Sequence, residues 1–132
     1  MKRTRLRGKM GGPSSSTMPI SRPIVSATKN IFAGVPTRAD QEEIKLLAGL
    51  PGARIERIAS TGQASPPGFW YDQDWREWVV VLAGSAGLLI EGEEAPRILN
   101  PGDYLELPAN CRHRVEWTAA DRPTVWLAVH AR

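Results

Sequence analysis

The sequence lacks most of the features that would assign it to a class at once. Of its 132 residues only Cys111 is a cysteine, so no disulfide can form within the chain. No apolar run approaches the roughly 20 residues that a membrane-spanning helix requires. The sequence also has no glycine-rich phosphate loop, zinc-finger spacing or Ser-His-Asp constellation. These absences argue against a disulfide scaffold and a membrane helix, and they make the cytoplasm the expected location.

Most of the chain also lacks an excess of positive charge, although the net charge is +3 and the pI about 9.4. Five bases fall within residues 1–17: Lys2, Arg3, Arg5, Arg7 and Lys9. The remaining residues carry twelve bases against fourteen acids, a net charge of −2. We therefore expect no basic docking face, and a nucleic-acid role through the tail is the weakest hypothesis.

Composition divides the chain into three segments. Residues 1–17 contain the run GGPSSS and no apolar periodicity, which is typical of a disordered tail. A start of translation at Met18 is the simpler explanation of that tail. Residues 18–52 are predicted to be an extended arm as far as Gly34, followed by one short helix over 40–47 that Thr37 caps. Residues 53–132 are predicted to be a β-barrel domain.

The third segment consists of short apolar runs separated by glycine and proline. The predicted strands are 54–59, 75–83, 87–91, 97–99, 104–107, 112–118 and 124–130. A strong turn signal, Asn-Pro-Gly-Asp, occupies residues 100–103. We expect the last two strands to form a hairpin around residues 119–123. This many short strands predicts an all-β antiparallel sandwich or barrel.

Strand alternation brings the candidate site residues onto two walls of the predicted barrel. Tyr71, Gln73 and Glu77 have the same parity, so their side chains share one face. On the later strand His113 and Trp117 share a face in the same way. If both faces point inward, the carboxylate of Glu77 and the imidazole of His113 converge on one pocket.

The spacing Glu77-x6-Gly84, followed by Gly102-x5-Pro108-x4-His113, resembles the two motifs of the cupin superfamily. The resemblance covers residues 68–130, and this stretch looks like the small single-domain cupins. It implies a double-stranded β-helix, or jelly-roll barrel, with a degenerate first motif. It also implies a homodimer in which the N-terminal arm crosses a twofold axis, which would cover an exposed sheet edge.

The resemblance implies a metal site, although the sequence departs from the usual ligands. Two of the four usual metal ligands are present, Glu77 and His113. The family's His-x-His is replaced by Tyr71 and Gln73 in the closer register, or by Trp70 and Asp72 in the other. Gln73 and His130 are the candidates to complete the shell, and Tyr71 is the candidate proton donor or hydrogen-bond anchor. Two histidines and one carboxylate would suit iron, manganese, nickel or zinc. No other cofactor is expected.

Each of these residues also has a plainer interpretation. His130 could lie exposed at a fraying terminus, and the carboxylate–imidazole pair could be a structural hydrogen bond. Asp72 or Asp74 would replace Gln73 if a bulge shifted the strand parity. Cys111 is expected to be a free structural thiol, and Asn110, where the family has glycine, tolerates a left-handed conformation. Five tryptophans could form an aromatic cage or fill the core and a dimer face: Trp70, Trp75, Trp78, Trp117 and Trp126.

Two classes of function therefore stay open. The first is a metal-dependent enzyme that acts on a small polar molecule such as a sugar, a keto acid or an oxidisable organic acid. The second is a non-catalytic module that binds or senses a small molecule in the same pocket without metal. The sequence does not identify the ligand, because one barrel hosts many reactions.

Overall fold

The computed structural model describes residues 21–132, and these residues form antiparallel strands without a helix. The strands are β1 (Glu43–Leu50), β2 (Ala53–Ser60), β3 (Arg76–Ala83), β4 (Ala86–Ile90), β5 (Arg97–Leu99), β6 (Tyr104–Leu107), β7 (His113–Thr118) and β8 (Thr124–Ala131). The predicted tail, residues 1–17, lies outside the described residues. No helix within residues 21–132 is long and apolar enough to cross a membrane.

Two antiparallel sheets face each other and enclose the core. The larger sheet has the order β1-β2-β8-β3-β6, and the smaller has the order β5-β4-β7. Both contribute to one apolar cluster, in which Val81 and Ala128 of the larger sheet meet Ala86 and Leu88 of the smaller. Because successive side chains of a strand point to opposite faces, Val79 and Val81 of β3 and Trp126 and Ala128 of β8 point into this core together. The all-β jelly-roll barrel expected from the sequence is confirmed.

The predicted helix over residues 40–47 is wrong. Residues 43–50 form β1, which pairs antiparallel with β2 from Glu43 opposite Ala59 to Leu50 opposite Ala53. The guanidinium of Arg57, only 2% exposed, ion-pairs with Glu43 and donates to the carbonyls of Ile31 and Ala33. These long-range bonds outweigh a weak local preference for helix, and they fasten both β1 and the 31–34 turn to the sheet.

The predicted hairpin between the last two strands is also wrong. β7 pairs with β4 in the smaller sheet, whereas β8 lies between β2 and β3 in the larger one. Residues 119–123 therefore cross from one sheet to the other. The crossing is close-packed at Gly84 (φ 78°), where a Cβ would collide with the backbone and hydroxyl of Thr124.

A bulge changes the face that Trp117 occupies. Gly87 lies opposite Trp117 and Leu88 opposite Val115, so Glu116 is an extra residue on β7. The indole of Trp117 packs on Gly87, where a Cβ would have no room, and the side chain is 38% exposed. Trp117 therefore does not share the inward face of His113, in contrast to the prediction from simple alternation.

Candidate functional site

A cavity of about 230 Å³ opens between the two sheets. One part of its lining is apolar and comes from both sheets: Val79, Leu88, Leu107, Val115 and Trp126. The other part is polar and contains all the residues singled out from the sequence: Tyr71, Gln73, Glu77, His113 and His130. An apolar pocket with a few convergent polar groups is the usual form of a small-molecule site.

Backbone pairing holds Tyr71 beside His113. Tyr71 forms an isolated antiparallel bridge with His113, with N–H···O distances of 2.8 and 3.1 Å. The two rings stack, with centroids 5.3 Å apart and planes 21° from parallel. The ring of Phe69 packs perpendicular to the phenol ring, with the two centroids 4.9 Å apart. The segment before β3 thus adds a short stretch to the barrel wall and fixes both side chains.

The hydrogen bonding of His113 fixes its tautomer. Its Nδ1 lies 2.8 Å from the carbonyl oxygen of Cys111. A carbonyl only accepts, so Nδ1 carries a proton and donates it. Among residues 21–132 no group hydrogen-bonds to Nε2, and its nearest charged neighbour is Oε1 of Glu77 at 3.9 Å. His113 as a residue is only 5% exposed and lines the cavity, so Nε2 is open to a ligand on the cavity side.

Glu77 is placed in the cavity by its position at the start of β3. It lies opposite Leu107 of β6 and opposite His130 of β8, and it is 8% exposed. The Gln73 amide donates to Oε1 at 3.1 Å. The structure therefore brings Tyr71, Gln73, Glu77 and His113 together as strand parity predicted.

His130 reaches the cavity by another route than the expected hairpin. It lies on β8 opposite Glu77 and opposite Arg54, and it is buried (7% exposed). The indole N–H of Trp75 donates to Nδ1 at 2.8 Å, so that nitrogen accepts and bears no proton. Nε2 therefore carries the proton and donates to Oε1 of Glu56 at 2.9 Å. Both nitrogens of His130 are engaged.

Two further carboxylates line the cavity that were not singled out from the sequence. Glu56 comes from β2, and Glu42 immediately precedes β1 and accepts from the Ser60 hydroxyl at 3.3 Å. Burial raises the pKa of Glu42. Burial, and then the charges of Glu42 and Glu77, raise the pKa of Tyr71, whose hydroxyl therefore stays protonated at neutral pH. Alternation of Arg54, Glu56 and Ile58 on one face of β2 was the signal that could have identified Glu56.

Other candidates lie away from the cavity. The side chains of Asp72 and Asp74 are exposed, in keeping with the unshifted parity of this segment. Cys111 is a half-buried free thiol that packs against the apolar core, and burial raises its pKa. Asn110 has φ 60°, the left-handed conformation expected of it.

The tryptophans do not form a cage. Trp126 lines the cavity, whereas Trp78 packs against Tyr104 at 5.5 Å. Trp70 lies under the guanidinium groups of Arg112 and Arg114, at 5.4 and 5.9 Å from its ring. Because the indoles are spread over several faces, no aromatic box surrounds a ligand.

The donors that face the cavity fit a divalent metal only in part. No cluster of three or more His, Cys, Asp or Glu side chains within residues 21–132 has the geometry to hold an ion. Glu77 and His113 are suited to the task, because a ligating histidine normally donates its second nitrogen to a carbonyl or carboxylate. The amide oxygen of Gln73 could serve as a third donor. His130 does not fit, because its nitrogens are bonded to Trp75 and Glu56.

The sequence matches a known family over this same region. A family model described as a cupin domain matches residues 59–130, more than half of the chain. The chain belongs to the cupin family. The resemblance seen in the two sequence motifs is therefore confirmed.

Solved structures share this cupin fold. The chain is 56% identical to a protein from Ralstonia eutropha JMP134 named "putative mannose-6-phosphate isomerase", with 80% of this chain and 98% of that one covered (TM-score 0.78). DMSP lyase DddQ from Ruegeria pomeroyi DSS-3 is 25% identical, over 70% of this chain and 48% of that one (TM-score 0.55). An RmlC-like cupin from Methanocaldococcus jannaschii is 14% identical, over 86% and 93% (TM-score 0.60). The comparison with curated proteins gives no match.

Proposed function

We propose that this cupin barrel binds a small polar molecule in its cavity and acts on it through Glu77, His113 and Tyr71. The observation that carries the proposal is the open Nε2 of His113, whose ring is fixed by the Cys111 carbonyl and which lies 3.9 Å from a carboxylate. A few convergent polar groups at the wall of a mostly apolar cavity are the usual contacts of a small-molecule ligand. The metal-dependent form of this function adds a divalent ion of iron, manganese, nickel or zinc, held by Glu77 and His113 with Gln73.

The chain's own residues support proton transfer at the bound molecule. Nε2 of His113 can accept a proton, because Nδ1 already holds one. Tyr71 is protonated at neutral pH and can donate to an oxygen of the ligand. The apolar part of the lining excludes water from the reacting groups. A bound metal would add Lewis-acid polarisation of a ligand oxygen.

The Ralstonia relative supports the type of reaction more than the substrate. Its name describes an isomerase, and isomerisation by proton transfer is chemistry that an acid and a base can perform. The phosphate in that name has no counterpart here. Among residues 21–132, Arg54 is the only Lys or Arg side chain that lines the cavity, and it is already paired with Glu56.

A metal-free binding or sensing module is the second candidate. It is favoured by the engagement of both nitrogens of His130, which leaves one histidine, one carboxylate and the amide oxygen of Gln73, whereas a catalytic zinc usually has three ligands from His, Glu and Cys. In this form Glu77 and His113 would contact the ligand directly.

Elemental analysis of the full chain, purified without a chelator or affinity tag, separates the two. About one equivalent of metal per chain, lost in His113→Ala and Glu77→Gln and retained in His130→Gln, supports the metal-dependent form. Unchanged metal content in His113→Ala would contradict the assignment of that residue. A wild-type protein that contains no metal and binds none when metal is added supports the metal-free form. Organic ligands should then be sought.

We also propose that the protein is a cytoplasmic homodimer. β1 is an edge strand, and it exposes Ile44, Leu46 and Leu50 by 55–59%. Ile24 is 98% exposed and Val25 87% exposed, so these two apolar side chains are hardly covered by the rest of residues 21–132. A second copy would cover both surfaces. Light scattering should give twice the chain mass of 14.5 kDa, and the chain mass itself would contradict the proposal.

A further inference from the structure

The polar lining of the cavity carries an excess of negative charge. It contains the carboxylates of Glu42, Glu56 and Glu77 against one guanidinium, that of Arg54. His130 adds no positive charge, because its Nδ1 accepts a hydrogen bond from an indole. Even a protonated His113 would leave the lining net negative.

Arg54 already has two protein partners, a carboxylate and an indole ring. Its Nε lies 3.4 Å from Oε2 of Glu56, and its guanidinium stacks over the ring of Trp75 at 5.3 Å. The side chain is 47% exposed and so extends toward solvent. An anion such as phosphate is normally bound by free guanidinium, ammonium or backbone N–H groups. Within the described part of the chain, Arg54 is the only Lys or Arg side chain that lines the cavity, and it is paired with Glu56.

The groups that face the cavity are mostly hydrogen-bond acceptors. Carboxylates only accept, and Nε2 of His113 is an acceptor in the neutral ring, because Nδ1 holds the proton. His113 is only 5% exposed, and no protein donor among residues 21–132 is directed at this nitrogen. The missing partner is therefore a donor, and an ammonium group is a donor with no acceptor.

The geometry points to a small organic cation, an amine with a compact apolar body, as the class of molecule that the cavity takes. This inference rests on the proposed function, whose ligand it specifies. The ammonium would lie among the carboxylates, and the apolar body would pack on Val79, Leu88 and Leu107. The 230 Å³ of space exceeds the roughly 150 Å³ cavity that holds a benzene ring. A divalent metal held by Glu77 and His113 would bring the summed charge of the lining from −2 to zero, and the ammonium would then lie beside Glu42 and Glu56, away from the ion.

Three ligands of similar size test the inference: the cation benzylamine, the neutral benzyl alcohol and the anion benzoate. Inorganic phosphate is a second anion in the same test. Titration calorimetry on the full chain at neutral pH should rank benzylamine first. We expect it to bind at least about tenfold more tightly than benzoate, which corresponds to 1.4 kcal/mol. Equal or tighter binding of benzoate or phosphate, or no binding of benzylamine at millimolar concentration, would overturn the inference.

Charge-neutralising variants locate the effect. Glu56→Gln and Glu42→Gln keep an oxygen that accepts from His130 and Ser60, so the fold should persist, and each should reduce the benzylamine-to-benzoate ratio by about threefold or more. Glu94→Gln removes the same charge from an exposed loop and should leave the ratio unchanged. A ratio that is insensitive to both cavity variants would also overturn the inference.

Metal analysis of the same samples keeps the two proposals distinguishable. Loss of the preference for the cation with metal content intact would reject the ligand class and leave the metal-dependent function standing. If the protein contains no metal but still prefers benzylamine to benzoate, the metal-dependent form is rejected and the proposed ligand class is supported.

Discussion

The indole N–H of Trp75 fixes the tautomer of His130, and the variant Trp75→Phe removes that single bond while keeping an aromatic ring. Nδ1 of His130 then loses its only donor among the described residues, inside a side chain that is 7% exposed. A buried acceptor without a partner costs about 1–3 kcal/mol. For a domain of this size each kcal/mol lowers Tm by roughly 3–5 °C, so the expected decrease is about 3–15 °C.

Trp78→Phe is the matched control. Trp78 lies on β3, which Trp75 immediately precedes, and both are half-buried, but Trp78 packs against Tyr104 and its indole N–H has no protein acceptor among residues 21–132. The same loss of ring volume there should cost about 1 kcal/mol or less. Urea unfolding of both variants and the wild type, at one protein concentration because of the proposed dimer, measures the difference.

The ring nitrogens of His130 supply a second readout that does not depend on stability. Nitrogen NMR of the wild type should show the proton of His130 on Nε2, because Nδ1 accepts from Trp75. The proton of His113 should be on Nδ1, because that atom donates to the Cys111 carbonyl. Equal stability losses for the two tryptophan variants, or a proton on Nδ1 of His130, would refute the reasoning.

Three further predictions concern the fold and its dependence on pH. Gly84→Ala should cost about 2–4 kcal/mol in urea unfolding, because a Cβ would collide with Thr124 at a φ of 78°. Gly102→Ala, at a φ of 93° in open space, should cost about 1 kcal/mol, and equal losses would contradict the collision. Because the folded-state pKa of Tyr71 is raised, stability should fall as pH rises above 10 toward that pKa, and Tyr71→Phe should remove this part of the fall. Because burial raises the pKa of Glu42, the folded state disfavours its charge, and Glu42→Gln should be the more stable protein at neutral pH but not below pH 4.5.

The pattern of residues along a single strand was sufficient to predict several features of the fold and of the site. The β-rich runs from β2 to β8 and the turn at residues 100–103 followed from alternation and from glycine and proline. The convergence of Glu77 with His113 followed from parity together with the cupin resemblance. Each of these depends on which face of a strand a side chain occupies, and that is set by neighbouring residues.

Partner choice between strands was not predictable from local pattern. The acidic residues at the start of β1 locally favour a helix. The strand forms instead because it pairs with β2 and because Arg57 ion-pairs with Glu43, and both contacts are long-range. β7 and β8 follow one another in sequence yet belong to different sheets. The position of His130 depends on that choice, since only the pairing of β8 with β2 and β3 brings its ring to Glu56 and Trp75.

The acidic lining has a physical cost that argues for a ligand. Burial disfavours the charge of Glu42, and no cation other than Arg54 lines the cavity among the described residues. Carboxylates that served only the fold would be better replaced by amides, which keep the bond to Ser60 and carry no charge to desolvate. Natural proteins tolerate such costs where activity or binding requires them. If Glu42→Gln raises stability and weakens the preference for an organic cation in the same protein, the two effects have one cause, the charge on that carboxylate.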